Sequence, residues 1–386
     1  VASTSWPRGF LVHTGHAGLL DDGRDDVAII VSEGAATSSA VFTRSRFAGP
    51  SIELSREAAR GRNARGVVVL ARNANVATGA TGAADAVEIR DRVAAIVGIP
   101  AEELLIASTG VIGRRYPMPA LRTYLDVVQW PREESDFAAA ARAIMTTDTH
   151  PKLHTAHVGD ARIVGIAKGV GMIEPDMATM LAFLCTDAAM SSEQLDTTFR
   201  AVVERTFNSV SIDTDTSTSD TAAIFANGVA GPVDAVAFEE ALFDVCLALV
   251  RDIASDGEGA GRLIVVEVGG ARDDSQARRV GKSIVNSPLV KTMVHGSDPN
   301  WGRVTMAIGK CQDDLDIEAD RVRIAFGGIE VYPREPDSGA LAAVVSHLRS
   351  DEVCIGVELG IAEGAWTVFG CDLTEGYVRL NSSYTT

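Results

Sequence analysis

Short apolar runs recur along this chain, at 27–32, 66–71, 161–167, 180–186, 263–268, 303–308, 321–326, 353–359 and 365–370. Several are apolar at nearly every position. A strand of that kind has both faces covered, so these runs belong inside a layered body. Helical patterns lie between them. Residues 83–97 carry Val87, Ile89, Val93, Ile96 and Val97 at helical spacing. Residues 192–207 open with a capping box from Ser191 to Gln194, and 234–255 is long and amphipathic. Ser287-Pro288 reads as the N-cap and first residue of a short helix towards His295. Strands and helices interleave without a βαβ rhythm or a fixed repeat. The expectation is an α+β fold, a layered α-β sandwich of mixed sheets flanked by helices, and not a doubly wound nucleotide fold. A length of 386 residues suits two lobes, and 46% hydrophobic content supplies their core. The division is expected near the glycine-rich turn at 165–171. No low-complexity linker separates the halves, which predicts one shared compact body.

The net charge is −17 and the pI about 4.8. An acidic surface repels nucleic acid and anionic membrane, so neither is an expected partner. A small anionic substrate feels only its local pocket and is not excluded. Cys185, Cys246, Cys311, Cys354 and Cys371 are odd in number, widely spaced and without metal-type spacing, which predicts reduced, buried thiols. There is no basic-then-apolar leader and no apolar run near 18 residues, so the expectation is a soluble cytoplasmic protein.

The stretch Lys168-Gly169-Val170-Gly171-Met172-Ile173-Glu174-Pro175-Asp176-Met177-Ala178-Thr179-Met180-Leu181 puts a threonine after a small residue, between a glycine-rich turn and an apolar run. That is the local design of a chain that cuts itself at Ala178-Thr179. The hydroxyl of Thr179 attacks the carbonyl of Ala178, the acyl group shifts from nitrogen to oxygen, and hydrolysis of the ester frees an N-terminal threonine. An α-amine titrates near about 7.7–8.0, against about 10.4 for a lysine, so it is partly neutral at neutral pH and serves as base to its own hydroxyl. The small Ala178 leaves room for the tetrahedral intermediate. The other reading of the same residues is a plain turn entering a strand.

Other candidates carry paired readings too. The turn Ser108-Thr109-Gly110 after the run 104–107 can aim a hydroxyl and a backbone N–H at one spot as an oxyanion hole, or be an ordinary strand-to-loop turn. Lys168 on composition is a solvated lysine beside a glycine turn; its glycines lack the spacing of a phosphate loop. Thr146 and Thr147 follow a helical pattern over 137–145, where their hydroxyls can cap the helix end or bond a turn. Glu258, in Asp256-Gly257-Glu258-Gly259-Ala260-Gly261, is a pocket carboxylate or part of a helix-ending loop. His150, His154 and His157 have helix-like spacing, but Pro151 interrupts it and no acidic or cysteine partner is in step, so no metal is expected. The oxygen-rich run from Asp213 to Asp220 lacks the glycine and glutamate of an EF-hand and reads as a hydrogen-bonded wall near the nucleophile. Asn73 and Asn75 orient the cleavage site or bond their own turn. Asp298-Pro299-Asn300-Trp301-Gly302-Arg303 reads as a rigid loop at a subunit contact.

The segment 168–181 closely resembles the processing-site motif of the ornithine acetyltransferase (glutamate N-acetyltransferase) family. Five more segments resemble family motifs in the expected order: Arg72-Asn73-Ala74-Asn75-Val76-Ala77-Thr78-Gly79, Ser108-Thr109-Gly110-Val111-Ile112-Gly113, Ile144-Met145-Thr146-Thr147-Asp148-Thr149, Ser211-Ile212-Asp213-Thr214-Asp215-Thr216-Ser217-Thr218-Ser219-Asp220-Thr221 and Asn381-Ser382-Ser383-Tyr384-Thr385-Thr386. The likeness runs from about Gly9 to Thr386. The usual arginine-pathway form has Asn before Met-Ala-Thr, whereas this chain has Glu174-Pro175-Asp176. That variant looks more like the enzyme found with clavulanic-acid biosynthesis, which bears on arginine against secondary metabolism and not on the chemistry.

The resemblance implies a self-cleaving N-terminal-nucleophile enzyme, with an α chain 1–178 and a β chain 179–386 assembled as an α2β2 heterotetramer. It implies acetyl transfer from N2-acetyl-L-ornithine to L-glutamate by double displacement, with Thr179 holding the acetyl as an ester and no cofactor for the exchange. Thr109 and Gly110 would form the oxyanion hole. Thr147 or Thr146, Lys168, Glu258, Asn381 and Thr386 would bind substrate, Lys168 at the α-carboxylate and Glu258 at the δ-amine, with the C-terminal tail folded over the pocket. Two rivals stand beside this reading: a related self-cleaving aminopeptidase or amidohydrolase, and an uncleaved protein that binds acetylated amino acids.

Overall fold

The computed structural model describes residues 6–20, 22–131, 135–174, 180–334 and 336–383. In chain order the strands are β1 (Phe10–Gly15), β2 (Val27–Ser32), β3 (Thr37–Phe42), β4 (Gly66–Leu70), β5 (Leu104–Ser108), β6 (Lys152–Val158), β7 (Ala161–Lys168), β8 (Leu181–Ala189), β9 (Val210–Ser211), β10 (Thr221–Pro232), β11 (Leu263–Ala271), β12 (Arg323–Phe326), β13 (Ile329–Tyr332), β14 (Glu352–Glu358) and β15 (Gly364–Cys371). The α-helices are α1 (Pro50–Ala59), α2 (Gly79–Val97), α3 (Met118–Val127), α4 (Phe137–Ala143), α5 (Ser192–Arg205), α6 (Ala235–Ser255), α7 (Asp274–Val285), α8 (Pro288–Gly296), α9 (Trp301–Gly309), α10 (Ser338–Leu348) and α11 (Glu375–Ser383).

Among the described residues the strands form three mixed sheets, ordered β1-β2-β4-β5, β3-β10-β8-β7-β6 and β13-β12-β14-β11-β15-β9. Every side chain of β2 is buried, as its unbroken apolar run requires. Alternate residues of the first sheet face two cores. Ile30, Val67 and Leu105 meet Ile166, Phe183 and Phe225 of the second sheet, with Phe137 of α4 in the same cluster. Ile29, Val68 and Ile106 face the other way, onto Ile89 of α2 and Leu121 of α3. The second sheet's opposite face, with Ile163, Leu184 and Ile224, is covered by Phe199 of α5 and Leu242 and Leu249 of α6. The result is helix, sheet, sheet, helix, and the six-stranded sheet packs one face on α7 to α10 through Ile264, Val266 and Ile355 while Leu263, Val265 and Phe369 on the other join the core under α5 and α6. The layered α-β architecture is therefore as expected. Five free cysteines are present, with Cys185, Cys246 and Cys371 buried.

Local signals explain most elements. The Ser191 hydroxyl accepts from Gln194 N at 3.3 Å, so the capping box starts α5. The Ser287 hydroxyl caps α8 ahead of Pro288. One expectation fails. Residues 303–308 form part of helix α9 and not a strand: Val304, Ala307 and Ile308 bury one helical face while Met306 is exposed. The β-branched content of that run outvoted its spacing of three and four. The segment bearing His154 and His157 is strand β6 and not a helix, so the apparent helical histidine spacing has no face behind it.

In the second sheet, β8 pairs parallel with β10 and antiparallel with β7, in a register that puts Thr221, Leu181 and Lys168 side by side. The sheet therefore takes strands from both sides of the 178–179 link, and β7 and β8 bracket it.

Candidate active site

Beyond that row of residues the strand ends open into a cleft of about 1060 Å³, counted to its open mouth. Thr109, Gly110, Thr146, Thr147, Lys168, Glu258 and Asn381 all line it. Met180 lines it too, next to the proposed nucleophile. Ala178, Thr179 and Thr386 lie outside the described residues.

The turn after β5 is fixed by backbone bonds, Thr109 N to Leu70 O at 3.0 Å and Val111 N to Arg72 O at 3.2 Å. Gly110 between them has φ of +117°, and a Cβ there would stand 2.2 Å from the Arg72 carbonyl carbon. Only glycine fits that close approach. The Thr109 hydroxyl accepts from Lys168 Nζ at 3.1 Å, so the turn and the cation at the end of β7 meet at one point.

Lys168 is 9% exposed. Burial pulls its ammonium below the ordinary value, against Asp148 and with Lys152. Asp148 is the hub beneath it. Burial alone would raise this carboxyl, but Lys168 and Lys152 hold it at about 2. It accepts from Gly169 N at 2.8 Å, Thr146 N at 3.0 Å and Lys152 Nζ at 2.8 Å. Lys152, fully buried, also donates to Asp256 Oδ2 at 2.6 Å, and Asp256 accepts from both the amide and the hydroxyl of Thr149. One buried lysine thus ties the 146–149 turn, the 168–171 turn and the end of α6 together.

Glu258 follows α6 by three residues, and its amide donates to Val170 O at 2.7 Å. Its carboxylate passes so close to Gly171 that a Cβ there would be 2.7 Å from Cδ. It accepts from the Thr147 hydroxyl at 3.1 Å and from Asn381 Nδ2 at 2.8 Å. Of the two threonines, Thr147 therefore presents its hydroxyl to Glu258, while Thr146 bonds through its amide. The tail reaches the cleft because Gly259, at φ +70°, lets α11 pack onto it; a Cβ would be 2.4 Å from Tyr377 N.

Segment 211–221 does form a wall. Asp213 accepts from Met172 N at 2.6 Å and Ile173 N at 2.8 Å, pinning the chain just before the proposed cut. Burial pushes its carboxyl up. Asn73 and Asn75 bond their own turn and its neighbour: Asn75 N donates to Asn73 Oδ1 at 2.9 Å, Asn75 Nδ2 to Gly82 O at 2.8 Å and Asn73 Nδ2 to Arg115 O at 3.0 Å. His154 pairs with Asp252 at 2.7 Å. Among the described residues no cluster of three or more His, Cys, Asp or Glu could hold a metal. Sequence reasoning missed Lys152, Asp148 and Asp256 as partners. Asp148 and Asp256 stand inside polar motifs, but nothing in the sequence joins Lys152 to Asp256, 104 residues further on.

The ArgJ family model matches residues 11–386. The chain belongs to the ArgJ family. It is 65% identical over 98% of its length, and 98% of the relative's, to "Glutamate N-acetyltransferase Oat2" of Streptomyces clavuligerus. It is 57% identical over 100% of its length and 96% of the relative's to "Arginine biosynthesis bifunctional protein ArgJ" of Rhodococcoides fascians. A crystal structure of an ArgJ protein from Bacillus halodurans matches with a TM-score of 0.48 and 38% identity, over 51% of this chain and 96% of that one. No helix of this ArgJ-family chain is long and apolar enough to cross a membrane, among the described residues.

Proposed function

We propose that this chain cuts itself at Ala178-Thr179 and then moves acetyl from N2-acetyl-L-ornithine to L-glutamate through an acetyl ester on Thr179. Family membership supports the chemistry. The observation that carries the site is that one cleft, at the mouth of the strand that follows Thr179, is lined by Thr109, Gly110, Thr147, Lys168, Glu258 and Asn381.

The charges fit the substrates. Lys168 offers a cation to the α-carboxylate that donor and acceptor share. Glu258, set by Thr147 and Asn381, offers an anion to the δ-ammonium of ornithine. In the first half-reaction the Thr179 hydroxyl attacks the acetyl carbonyl, its proton passes to the α-amine, and charge on the carbonyl oxygen meets the Thr109 hydroxyl and Gly110 N–H. Such a donor is worth about 3–4 kcal/mol of barrier. Glutamate then enters the same cleft and takes the acetyl from the ester. Double displacement lets one pocket serve both amino acids in turn.

The fragments 1–178 and 179–386, about 19 and 22 kDa by their share of the 40.6 kDa chain, stay together because β7 and β8 pair across the link and share buried core on both faces. An α2β2 assembly goes with this reading, as does a cytoplasmic setting in which free thiols persist. Intact mass of purified protein, before and after acetylornithine, tests the function. Two fragments with one acetyl added to the 179–386 piece are expected; an uncut chain, or acetate released equally fast with and without glutamate, refutes it.

A further inference from the structure

Resting on this reading, each half of the exchange must move a proton at the substrate's α-nitrogen. The departing ornithine nitrogen gains one, and the incoming glutamate ammonium loses one. Asp220 stands where such a proton can be held. It lines the cleft, is 2% exposed, and its Oδ2 has no hydrogen-bond partner among the described residues. Its backbone is fixed on both sides. Its carbonyl accepts from Thr43 N at 3.0 Å, and the next amide, Thr221 N, donates to Met180 O at 2.9 Å.

Strand order gives this carboxyl its meaning. β8 runs between β10 and β7, so the backbone entering β8 has Asp220 on one side and Lys168 on the other, each about one strand spacing of roughly 4.8 Å away. A free α-amino acid presents a carboxylate and an amine on one carbon. A cation and an acid flanking the nucleophile's strand match that pair. Burial pushes the Asp220 carboxyl well up, against Ser217 and Lys168, which favours its protonated form.

We propose that Asp220 is a catalytic residue that contacts the substrate's α-nitrogen and trades one proton with it. As the acetyl C–N bond breaks and the C–O bond to Thr179 forms, the Thr179 hydroxyl proton goes to its own α-amine and the Asp220 proton goes to the departing nitrogen. The resulting Asp220 carboxylate then takes a proton from the glutamate ammonium. The neutral amine forms the new C–N bond, and the C–O bond breaks as the α-ammonium returns its proton to the Thr179 oxygen. The surplus proton on the new amide nitrogen leaves to solvent, balancing the one that free ornithine takes up.

The test compares groups that need this proton with groups that do not, in Asp220→Asn. Acetylation by acetylornithine should fall about 100-fold or more while acetylation by 4-nitrophenyl acetate, whose leaving group needs no proton, stays within about threefold. Transfer from the acetyl-enzyme should fail likewise to glutamate but persist to hydroxylamine, which is already neutral at pH 7. Equal losses with both donors, or no loss with either, would overturn the proposal. If the Asn variant is not cut on a denaturing gel, Asp220→Glu, which keeps an acid, should be cut and should show a lowered ratio of acetylornithine to ester rates; an unchanged ratio, or an uncut Glu variant, overturns it. The wild-type exchange itself tests the underlying reading separately.

Discussion

Replacing Thr109 by alanine tests the oxyanion turn with little disturbance elsewhere. The turn is held by the Thr109 and Val111 amides, which alanine keeps, and by the glycine approach at 110. The side chain is half-buried, so its loss opens no core cavity. Lys168 loses the contact at 3.1 Å but keeps Asp148 as its anion. What disappears is one donor to the developing oxyanion, about 3–4 kcal/mol, or a fall of about 10²–10³ in rate. The same oxygen carries charge when ornithine leaves and when glutamate attacks. Both half-reactions should therefore slow by the same factor, with the unfolding midpoint in urea unchanged, and Thr109→Ser should recover most of the rate. Steady-state kinetics with each substrate varied in turn give kcat/KM for each half. A loss confined to one half, or a serine variant as slow as the alanine one, would refute the reasoning.

Three other outcomes rest on the same geometry. Thr179→Ala should run as one uncut band near 40.6 kDa and neither bind acetyl covalently nor transfer it; normal scission in this variant would move the attack to another residue. Glu258→Gln removes the anion proposed to face the δ-ammonium and should raise KM for acetylornithine by about 10- to 100-fold, the worth of a charged hydrogen bond, with less effect on glutamate; calorimetric titration of ornithine should weaken in step. Asp148 has its folded pKa lowered to about 2 from an unfolded value of about 3.9, so its stabilisation is whole above about pH 4 and drains away as pH falls towards 2. Asp148→Asn should be less stable at pH 7 and show a shallower loss over that acid range, followed by tryptophan fluorescence.

Much of the fold is written locally. The unbroken apolar run of β2 announces a strand covered on both faces, and Ser191 with Gln194 announces the start of α5. The glycine at 110 and the threonine before it stand in a turn whose use the sequence suggested. What stayed hidden depends on distant partners. Lys152 looks like a surface lysine until Asp256 arrives at 2.6 Å from the far end of α6. Thr146 and Thr147 are equivalent as letters, and only the approach of Glu258 separates them. Asp220 reads only as the end of an oxygen-rich wall, because the strand order that sets it across from Lys168 is a property of the sheet and not of any segment. The misread run 303–308 shows the opposite failure, where residue type suggested a strand and the spacing of Val304, Ala307 and Ile308 held the answer.

The interleaving of β3, β6 and β7 with β8 and β10 makes the proposed scission a one-way door. While the chain is whole, those strands find one another at a fixed intramolecular concentration; once severed, their reunion becomes bimolecular and depends on dilution. A matured enzyme that is denatured and diluted should consequently regain far less activity than freshly made precursor does, so its lifetime in the cell is governed by how slowly it first comes apart.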